Sequence, residues 1–395
     1  MPPRPVLLAA ALLISAFPRP LVGQAAAPST TTEIHLDRSV TFRYQAPGAT
    51  GVALRIDASA KPLAMTKDAA GLWTVTTPPL PPQIYGYSFE VDGQAQFDPN
   101  NYLHLLPNYS FVWDQLEVPG DGPQMWDIQA VAHGELHLHH YTTKVVEGLP
   151  AQQDDYIVYT PPGYDARAET KYPVLYLLHG WGGDAHEWTS GLQADNILDN
   201  LLAQHKIRPM VVVMPLGYGD LRFLGNFGVV WRDRALVDHN TSLFSQALLT
   251  EIMPRVEAEY RVSARREDRA IAGLSMGGLE SLTIGLTHPA QFAYIGGFSS
   301  AVHLLDPATQ LAGVDAAKLR LLWIACGMDD NLVTANRKLI AYLKDKGLTV
   351  TAVETPGAHH FNVWRDNLVQ FAPVLFRERR FEKRKRARRL RDQAL

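Results

Sequence analysis

The stretch Gly273-Leu274-Ser275-Met276-Gly277-Gly278 decides the fold of this chain. It follows the apolar run 270–272 and precedes a segment, 279–286, with the composition of a helix. A G-x-S-x-G sequence between a strand and a helix is typical of a nucleophile elbow, a sharp turn that needs small residues beside the serine. We therefore predict that Ser275 stands clear of a sheet, at the end of a strand and within reach of a base.

The base and its acid are expected further along the chain. A serine becomes a nucleophile only when a base removes its proton, and in this fold class the acid and then the histidine follow the serine. Asp329 and Asp330 follow one apolar, strand-like run, and His359 and His360 follow the next. Spacing alone does not show which member of each pair is catalytic. The sequence therefore predicts that one of the two Asp residues is the acid and one of the two His residues is the base.

A second glycine-rich segment lies upstream. Residues 179–183, His-Gly-Trp-Gly-Gly, come directly after the apolar run 173–178 and are called the oxyanion loop below. Such a loop presents backbone N–H groups that can stabilise the oxyanion of a tetrahedral intermediate. We expect the N–H groups of Trp181 and Met276 to be the donors, and we expect His179 to pack structurally at the strand end.

Residues near these motifs are candidates for contact with a substrate. Residues 216–240 are predicted to form a long irregular stretch, and loops of this length are often functional. From this stretch Trp231 is expected to contact the substrate, together with Gly182 and Trp364. The alternative is that residues 216–240 are a surface excursion without a function.

The motifs resemble those of the esterase D and feruloyl esterase group of α/β-hydrolases, carbohydrate esterase family 1. The resemblance covers about residues 131–376 and includes the elbow, the oxyanion loop and the segments around the two candidate pairs. It implies that Asp330 is the acid and His359 the base, whereas His360 stands where the family has an Asp. It also implies an α/β-hydrolase domain with a mainly parallel sheet, and a serine esterase that needs no cofactor or metal.

Residues 31–118 follow a different pattern. Short runs that alternate apolar and polar residues are separated by turns rich in Pro and Gly, which indicates a small all-β, immunoglobulin-like sandwich. The region resembles the early-set modules related to carbohydrate-binding family 48. Its Trp73, Tyr85 and Tyr87 could stack on sugar rings, but packing inside the sandwich or against the esterase domain is the preferred interpretation.

The remaining segments complete the predicted organisation. Residues 1–27 contain a positive charge, a short apolar run and then small residues, which is typical of a secretory signal. Residues 119–130 are predicted to be a linker, the esterase domain spans 131–376, and residues 377–395 form a basic tail that we interpret as a solvated extension. We therefore expect a secreted or periplasmic protein.

Composition limits the classes of function. The chain has 395 residues, is 46% hydrophobic and carries a formal net charge of −3, so nothing in it favours nucleic acid as a partner or a membrane span. The single cysteine, Cys326, excludes an internal disulfide. His133, Glu135, His137 and His139 could be zinc ligands, but ligands along one straight strand splay apart, so a polar strand surface is preferred.

Three hypotheses of function follow. The first, implied by the resemblance, is a secreted serine carboxylesterase that cleaves feruloyl or acetyl esters on plant polysaccharides or oligosaccharides through an acyl-enzyme. The second is a siderophore trilactone esterase of the enterobactin type, in which Arg222, Arg232 and Arg234 would meet anionic catecholates. The third is a non-catalytic glycan-binding protein, and the complete catalytic set in the sequence argues against it. We expect an ester of small-molecule or polysaccharide type as the partner.

Overall fold

The structure, a computed structural model, describes residues 32–102, 112–311 and 319–377. The predicted secretory signal and nearly all of the basic tail lie outside these residues. The first part of the chain, to residue 118, is all β and is called the β module below. Its strands are β1 (Thr32–Ile34), β2 (Val40–Gln45), β3 (Val52–Ile56), β4 (Leu63–Ala64), β5 (Thr66–Lys67), β6 (Leu72–Thr76), β7 (Gln83–Val91), β8 (Gln94–Gln96) and β9 (Asp114–Val118).

The strands of the β module form two antiparallel sheets around one apolar core. One sheet has the order β1-β2-β6-β5, and the other has the order β4-β3-β7-β8 with β9 also paired to β7. Trp73, Tyr85 and Tyr87 are all buried in this core, and the hydroxyl of Tyr87 donates to Asp98 Oδ2 at 2.8 Å. These three rings therefore offer no surface on which a sugar could stack, in agreement with the preferred interpretation.

The second part, called the α/β domain, begins at residue 135 and contains one eight-stranded sheet. Its strands are β10 (Glu135–Thr142), β11 (Gln153–Thr160), β12 (Val174–Leu178), β13 (Val211–Pro215), β14 (Arg269–Leu274), β15 (Tyr294–Phe298), β16 (Leu321–Gly327) and β17 (Thr351–Thr355). The order is β10-β11-β13-β12-β14-β15-β16-β17, in which only β10 and β11 run antiparallel to their neighbours. The predicted mainly parallel sheet, preceded by an all-β module, is confirmed.

Helices connect the parallel strands and cover the sheet. They are α1 (Ala194–Ala203), α2 (Phe227–Val230), α3 (Arg234–Ala247), α4 (Met253–Glu259), α5 (Ser275–Thr287), α6 (Pro307–Gln310), α7 (Val333–Asp345) and α8 (Phe361–Phe371). Every residue of β12, β13 and β14 is buried, as expected for strands with both faces covered. Ligands of such sheets bind at the carboxyl ends of the strands. No helix among the described residues is both long and apolar enough to cross a membrane.

The prediction that residues 216–240 form one irregular stretch was wrong in its second half. Helix α2 interrupts the stretch, and α3 already begins at Arg234. The carboxylate of Asp233 caps α3 by accepting the N–H of Leu236 at 3.0 Å. Val237 and Phe244 then point into the core, which ties this helix to the sheet.

The segment predicted as a linker, residues 119–130, is docked onto the α/β domain. Trp126 is buried in the apolar cluster between the sheet and α1. The side-chain amide of Asn200 donates to the carbonyls of Met125 and Asp127, at 2.9 Å each. These contacts fix the path of the chain between the two parts.

A buried arginine of α8 joins the β module to the α/β domain. Arg365 is 1% exposed. Its guanidinium donates to Gln83 Oε1 at 3.2 Å and to the carbonyl of Ile84, both in β7, and to the carbonyl of Gly191 at 3.0 Å. A buried cation requires such partners, so the position of the β module is fixed relative to α8.

Candidate active site

Three side chains from separate loops meet at the carboxyl end of the sheet. Ser275 Oγ lies 3.0 Å from His359 Nε2, and His359 Nδ1 lies 2.8 Å from Asp330 Oδ2. Ser275 follows β14, Asp330 follows β16 and His359 follows β17. The structure therefore brings together the residues selected by the resemblance, in an order of contacts that allows proton transfer from the serine to the histidine.

The backbone at Ser275 has the strained geometry expected of an elbow. Its φ is 53°, a value that non-glycine residues rarely adopt. A Cβ at Gly273 would lie 2.5 Å from the carbonyl oxygen of Gly277, so the turn cannot close around a larger residue. The serine is thereby held at the very start of α5, where the first N–H groups of the helix lack intrahelical acceptors.

Substitution of Gly277 by alanine tests the packing of this elbow. The added Cβ would lie 2.5 Å from the carbonyl oxygen of His179 and 2.6 Å from that of Leu178, and neither backbone group can move aside cheaply. We expect the free energy of unfolding to fall by about 3 kcal/mol, the upper range for overpacking. Gly48→Ala is the control, because nothing lies within 4 Å of its added Cβ. Equal denaturant midpoints for both variants would contradict the geometry.

Burial and hydrogen bonds distinguish Asp330 from its neighbour. Asp330 is 2% exposed and its Oδ1 accepts the N–H of Leu332 at 2.8 Å, whereas the side chain of Asp329 faces solvent. Burial acts to raise the pKa of Asp330, but the hydrogen bond and charge of His359, with the Leu332 N–H, outweigh it and hold the pKa below its usual range. Asp330 is therefore ionised at neutral pH and can stabilise a protonated His359.

The oxyanion loop lies directly beside the elbow. The N–H of Gly277 donates to the carbonyl of His179 at 3.0 Å, and a Cβ at Gly180 would lie 3.6 Å from the Cβ of Ser275. Trp181 comes next in the loop, and Met276 follows the serine at the start of α5. Met276 thus adjoins the serine in the chain and Trp181 follows the glycine that approaches it, and their role as oxyanion donors stays a prediction.

His179 occupies a structural position. It is buried, and its Nε2 accepts the N–H of Gly217 at 2.8 Å while its Nδ1 lies 2.7 Å from the carbonyl of Gly180. Burial lowers the pKa of His179 to about 4. A neutral imidazole with both nitrogens engaged holds the oxyanion loop to the segment that follows β13 and is not a base for Ser275.

A buried carboxyl group supports the oxyanion loop. Glu187 is 5% exposed, and its Oε1 accepts the N–H of Gly180 at 3.1 Å. Burial raises the pKa of Glu187 to about 8, against a weaker lowering effect of the Gly180 N–H. The sequence analysis missed this residue, because nothing in the local pattern shows that residue 187 folds back onto residue 180.

The raised pKa of Glu187 gives a pH-dependent stability. A carboxyl group whose pKa is about 4.3 in the unfolded chain and higher in the fold binds more protons when folded, so it makes the fold less stable as the pH rises towards 8. Glu187→Gln does not titrate, so its thermal midpoint relative to the wild type should improve between pH 5 and pH 8. Glu135→Gln, at an exposed position, is the control. Parallel midpoint curves for Glu187→Gln and wild type would rule out this effect.

An aromatic-lined cavity of about 660 Å³ opens at Ser275 and His359. Trp231 and Trp364, both predicted to contact the substrate, line it. Gly182 does not line it, because its N–H donates to the hydroxyl of Tyr218 at 2.7 Å and so shapes the loop from behind. A cavity of this volume suits a small organic group.

Two groups of rings form the walls of the cavity. The first group is Trp181, Phe227, Trp231 and His303, with ring centroids 5.0 Å apart for the first pair. The second group is Trp113, His360, Phe361 and Trp364. Asp57 and Trp113, which belong to the β module, were missed by the sequence analysis. His360 could have indicated Asp57, because a histidine at the position of the family's Asp can be stabilised by a nearby carboxylate.

The other candidate groups serve structural purposes. Cys326 is buried in β16, and burial raises the pKa of its thiol to about 12, so it is no nucleophile. His133 Nδ1 lies 2.9 Å from Asp199, and His139 Nε2 lies 2.5 Å from the hydroxyl of Tyr260. His133, which precedes β10, and His139 within it thus lie against different side chains and do not converge on one point.

Another group of potential ligands, Glu147, Asp220 and His239, lies within reach of a single ion. The guanidinium of Arg222 binds both carboxylate oxygens of Asp220, with Nε at 3.1 Å from Oδ1 and 2.9 Å from Oδ2. Its charge already compensates that of Asp220. We therefore assign no metal to this group.

An eight-stranded sheet with a serine elbow, a glycine-rich oxyanion loop and acid and histidine on the following strand ends defines an α/β-hydrolase. The sequence profile of the esterase family matches residues 152–375. The chain belongs to this esterase family.

Relatives and solved structures agree with this assignment. The chain is 30% identical over 345 residues to an endo-1,4-beta-xylanase/feruloyl esterase of Xylanibacter ruminicola, covering 85% of this chain but only 44% of that protein. It is 25% identical over 227 residues to an acetyl esterase of Caldicellulosiruptor saccharolyticus, covering 48% of this chain and 78% of that protein.

Two solved structures share the fold. A ferulic acid esterase from Anaeromyces mucronatus aligns with a TM-score of 0.54 at 23% identity, over 65% of this chain and 96% of its own. An enterobactin esterase from Shigella flexneri aligns with a TM-score of 0.67 at 20% identity, over 88% of this chain and 96% of its own. The second alignment extends beyond the α/β domain into the β module.

Proposed function

We propose that this chain is a serine carboxylesterase that hydrolyses feruloyl or acetyl esters on plant polysaccharides or oligosaccharides. The observation that carries the proposal is the chain of contacts from Ser275 through His359 to Asp330, located at an aromatic-lined cavity. The relatives named as feruloyl and acetyl esterases support the two acyl groups.

In the first half of the reaction, His359 Nε2 takes the proton of Ser275 Oγ as the oxygen attacks the ester carbonyl. The N–H groups of Trp181 and Met276 stabilise the negative charge that develops on the carbonyl oxygen. Asp330 holds Nδ1 of His359 and stabilises the imidazolium. Collapse of the tetrahedral intermediate breaks the bond to the alcohol, which leaves with the proton from Nε2, and Ser275 carries the acyl group.

In the second half, water replaces the alcohol. His359 takes a proton from the water as its oxygen attacks the acyl carbonyl, and then returns the proton to Ser275 Oγ as the acid departs. The sum is one ester and one water converted to one acid and one alcohol. Besides the ester and the water, these steps use side chains and backbone groups of the chain.

The rings of the cavity favour an aromatic acyl group over acetyl. Trp181, Phe227 and Trp231 contact one another, with centroid separations of 5.0 Å and 6.1 Å along the series. Aromatic groups gain from stacked and edge contacts in addition to burial of their area. A feruloyl group would fill a cavity of about 660 Å³ much better than an acetyl group.

A siderophore trilactone esterase is the second candidate, because the enterobactin esterase structure aligns over both parts of the chain. Its expected arginines do not support it. Arg222 is bound to Asp220, and Arg234 lies 3.2 Å from Asp238. Among the described residues that line the cavity there is no Lys or Arg. A tri-catecholate anion would therefore meet no Lys or Arg among the described residues of the cavity.

Three substrates separate the candidates: methyl ferulate, a short-chain aryl acetate and an enterobactin-type trilactone, each with wild type and Ser275→Ala. Ser275-dependent hydrolysis of methyl ferulate is the expected result. Acetate cleavage alone would keep the serine mechanism and move the substrate to acetyl esters, whereas preferred trilactone cleavage would replace the proposal. No Ser275-dependent turnover of any of them would favour a non-catalytic glycan-binding protein.

We also propose that the protein is secreted or periplasmic. The support is the pattern of residues 1–27, a positive charge followed by a short apolar run and small residues. Expression of the full chain in a bacterium, followed by fractionation and mass determination, tests this. An uncut protein in the cytoplasm would contradict it.

A further inference from the structure

The active-site cavity is built by both parts of the chain. Asp57 and Trp113 of the β module line the same cavity as Ser275 and His359 of the α/β domain. Asp57 follows β3, and Trp113 immediately precedes β9. The β module therefore contributes side chains to the cavity in which the ester would react.

The contacts of Asp57 and Trp113 are specific. Asp57 Oδ1 lies 3.0 Å from Nδ1 of His360, and its Oδ2 accepts the N–H of Gly86 at 2.8 Å. The ring of Trp113 meets that of His360 edge to face, at 6.1 Å between centroids. A Cβ at Gly86 would lie 2.9 Å from Asp57 Oδ2 and 3.3 Å from Trp113, so a larger residue there would displace these side chains.

The same interface favours the protonated form of His360. Burial acts to lower the pKa of His360, but the hydrogen bond and charge of Asp57, with a smaller effect of Asp330, raise it above its ordinary value. The carboxylate of Asp57 lies against a buried backbone N–H on one side and an imidazole on the other. Asp57 is thus a positioning residue for His360.

The mechanism determines which half of the ester lies near His360. The leaving alcohol receives its proton from His359 Nε2, so its oxygen must lie beside that ring. Residues that adjoin His359 therefore surround the alcohol. These are Trp364, whose ring centroid is 4.9 Å from that of His359, and then His360 with Trp113 of the β module. The acyl group would then lie on the other side of Ser275, against the rings around Trp181 and Trp231.

We propose that Trp113 and the Asp57–His360 pair form the subsite that binds the leaving alcohol of the proposed sugar ester. The inference rests on the proposed function and names the residues that would select this alcohol. A sugar ring has an apolar face of C–H groups that can pack on the half-buried ring of Trp113, and hydroxyls that need the polar groups of His360 and Asp57. The β module then recognises carbohydrate inside the catalytic cavity, whereas its Trp73, Tyr85 and Tyr87 are buried in its own core.

The test compares the methyl ester and a pentose ester of the same acid. The acid is ferulic or acetic acid, whichever has the methyl ester that the wild type hydrolyses faster. The readout is the ratio of kcat/KM for the pentose ester to that for the methyl ester. Trp113→Ala should lower this ratio about tenfold, in line with the loss of one buried aromatic contact. Trp113→Phe, which keeps a ring, should restore most of it.

A matched control and a second variant complete the test. Tyr102→Ala removes an exposed aromatic ring of the same module that does not line the cavity, and should leave the ratio at the wild-type value. Asp57→Asn should raise KM for the pentose ester more than it lowers kcat, because it disturbs the position of His360 and not the proton transfer. An unchanged ratio in Trp113→Ala overturns the inference alone. Absence of Ser275-dependent hydrolysis of both esters overturns the proposed function and the inference with it.

Discussion

Replacement of Ser275 by alanine is expected to lower kcat for methyl ferulate by about 10⁴-fold or more, since removal of a triad nucleophile leaves only binding and the oxyanion hole. The fold should persist, because alanine has the size of serine without its hydroxyl and keeps the turn of the elbow closed. Steady-state rates of purified wild type and variant measure the effect. Mass determination of wild type quenched with substrate should also show one acyl group on the chain.

The control for this prediction is Ser242→Ala, an exposed serine of α3, which should retain the wild-type rate. Thermal midpoints of both variants distinguish a lost nucleophile from a damaged fold. A Ser275→Ala enzyme within about tenfold of the wild type would show that another group is the nucleophile.

Asp330→Asn is expected to lower kcat by about 10⁴-fold, as in triads whose acid is changed to its amide. An amide donor opposite Nδ1 favours the tautomer with its proton on Nε2, which cannot accept the proton of Ser275. Because the amide also removes the negative charge, the imidazolium formed during the reaction loses its partner. The pH dependence of kcat/KM should be measured with the rate, as the loss should persist across the whole range.

The neighbouring residue supplies the control. Asp329 has the same chemistry one position earlier but faces solvent, so Asp329→Asn should stay within about twofold of the wild type, as surface changes usually do. Equal losses in the two variants would mean that the loop as a whole, and not the Asp330 contact, is responsible. A loss confined to Asp329→Asn would exchange the two assignments.

The sequence predicted the elements of the site that depend on local pattern. An elbow, a glycine-rich loop and polar residues at strand ends each leave a short signature, and chain order narrows the acid and histidine to two pairs. Spacing could not choose between Asp329 and Asp330, because the choice depends on which of the two side chains is buried against His359. The capped start of α3 was also missed, although Asp233 is a residue typical of a helix N-cap.

Contacts between distant segments had no signature in the sequence. Asp57 meets His360, and Arg365 meets Gln83, across about 300 residues of chain, so no periodicity or spacing could connect them. The Pro- and Gly-containing segment around Trp126 was predicted as a linker on composition, but composition does not show that its backbone carbonyls accept hydrogen bonds from Asn200 of α1. In each case the missing information is tertiary packing.

Arg365 is expected to make the two parts of the chain unfold as one cooperative unit. Its guanidinium has acceptors on β7 and on the loop before α1, so separating the parts would leave a buried cation without partners and expose the apolar surface around Trp126. The parts should melt in a single transition, and a chain shortened to the α/β domain should be unstable. The boundary near residue 118 thus separates two sheets but does not separate two independently stable units.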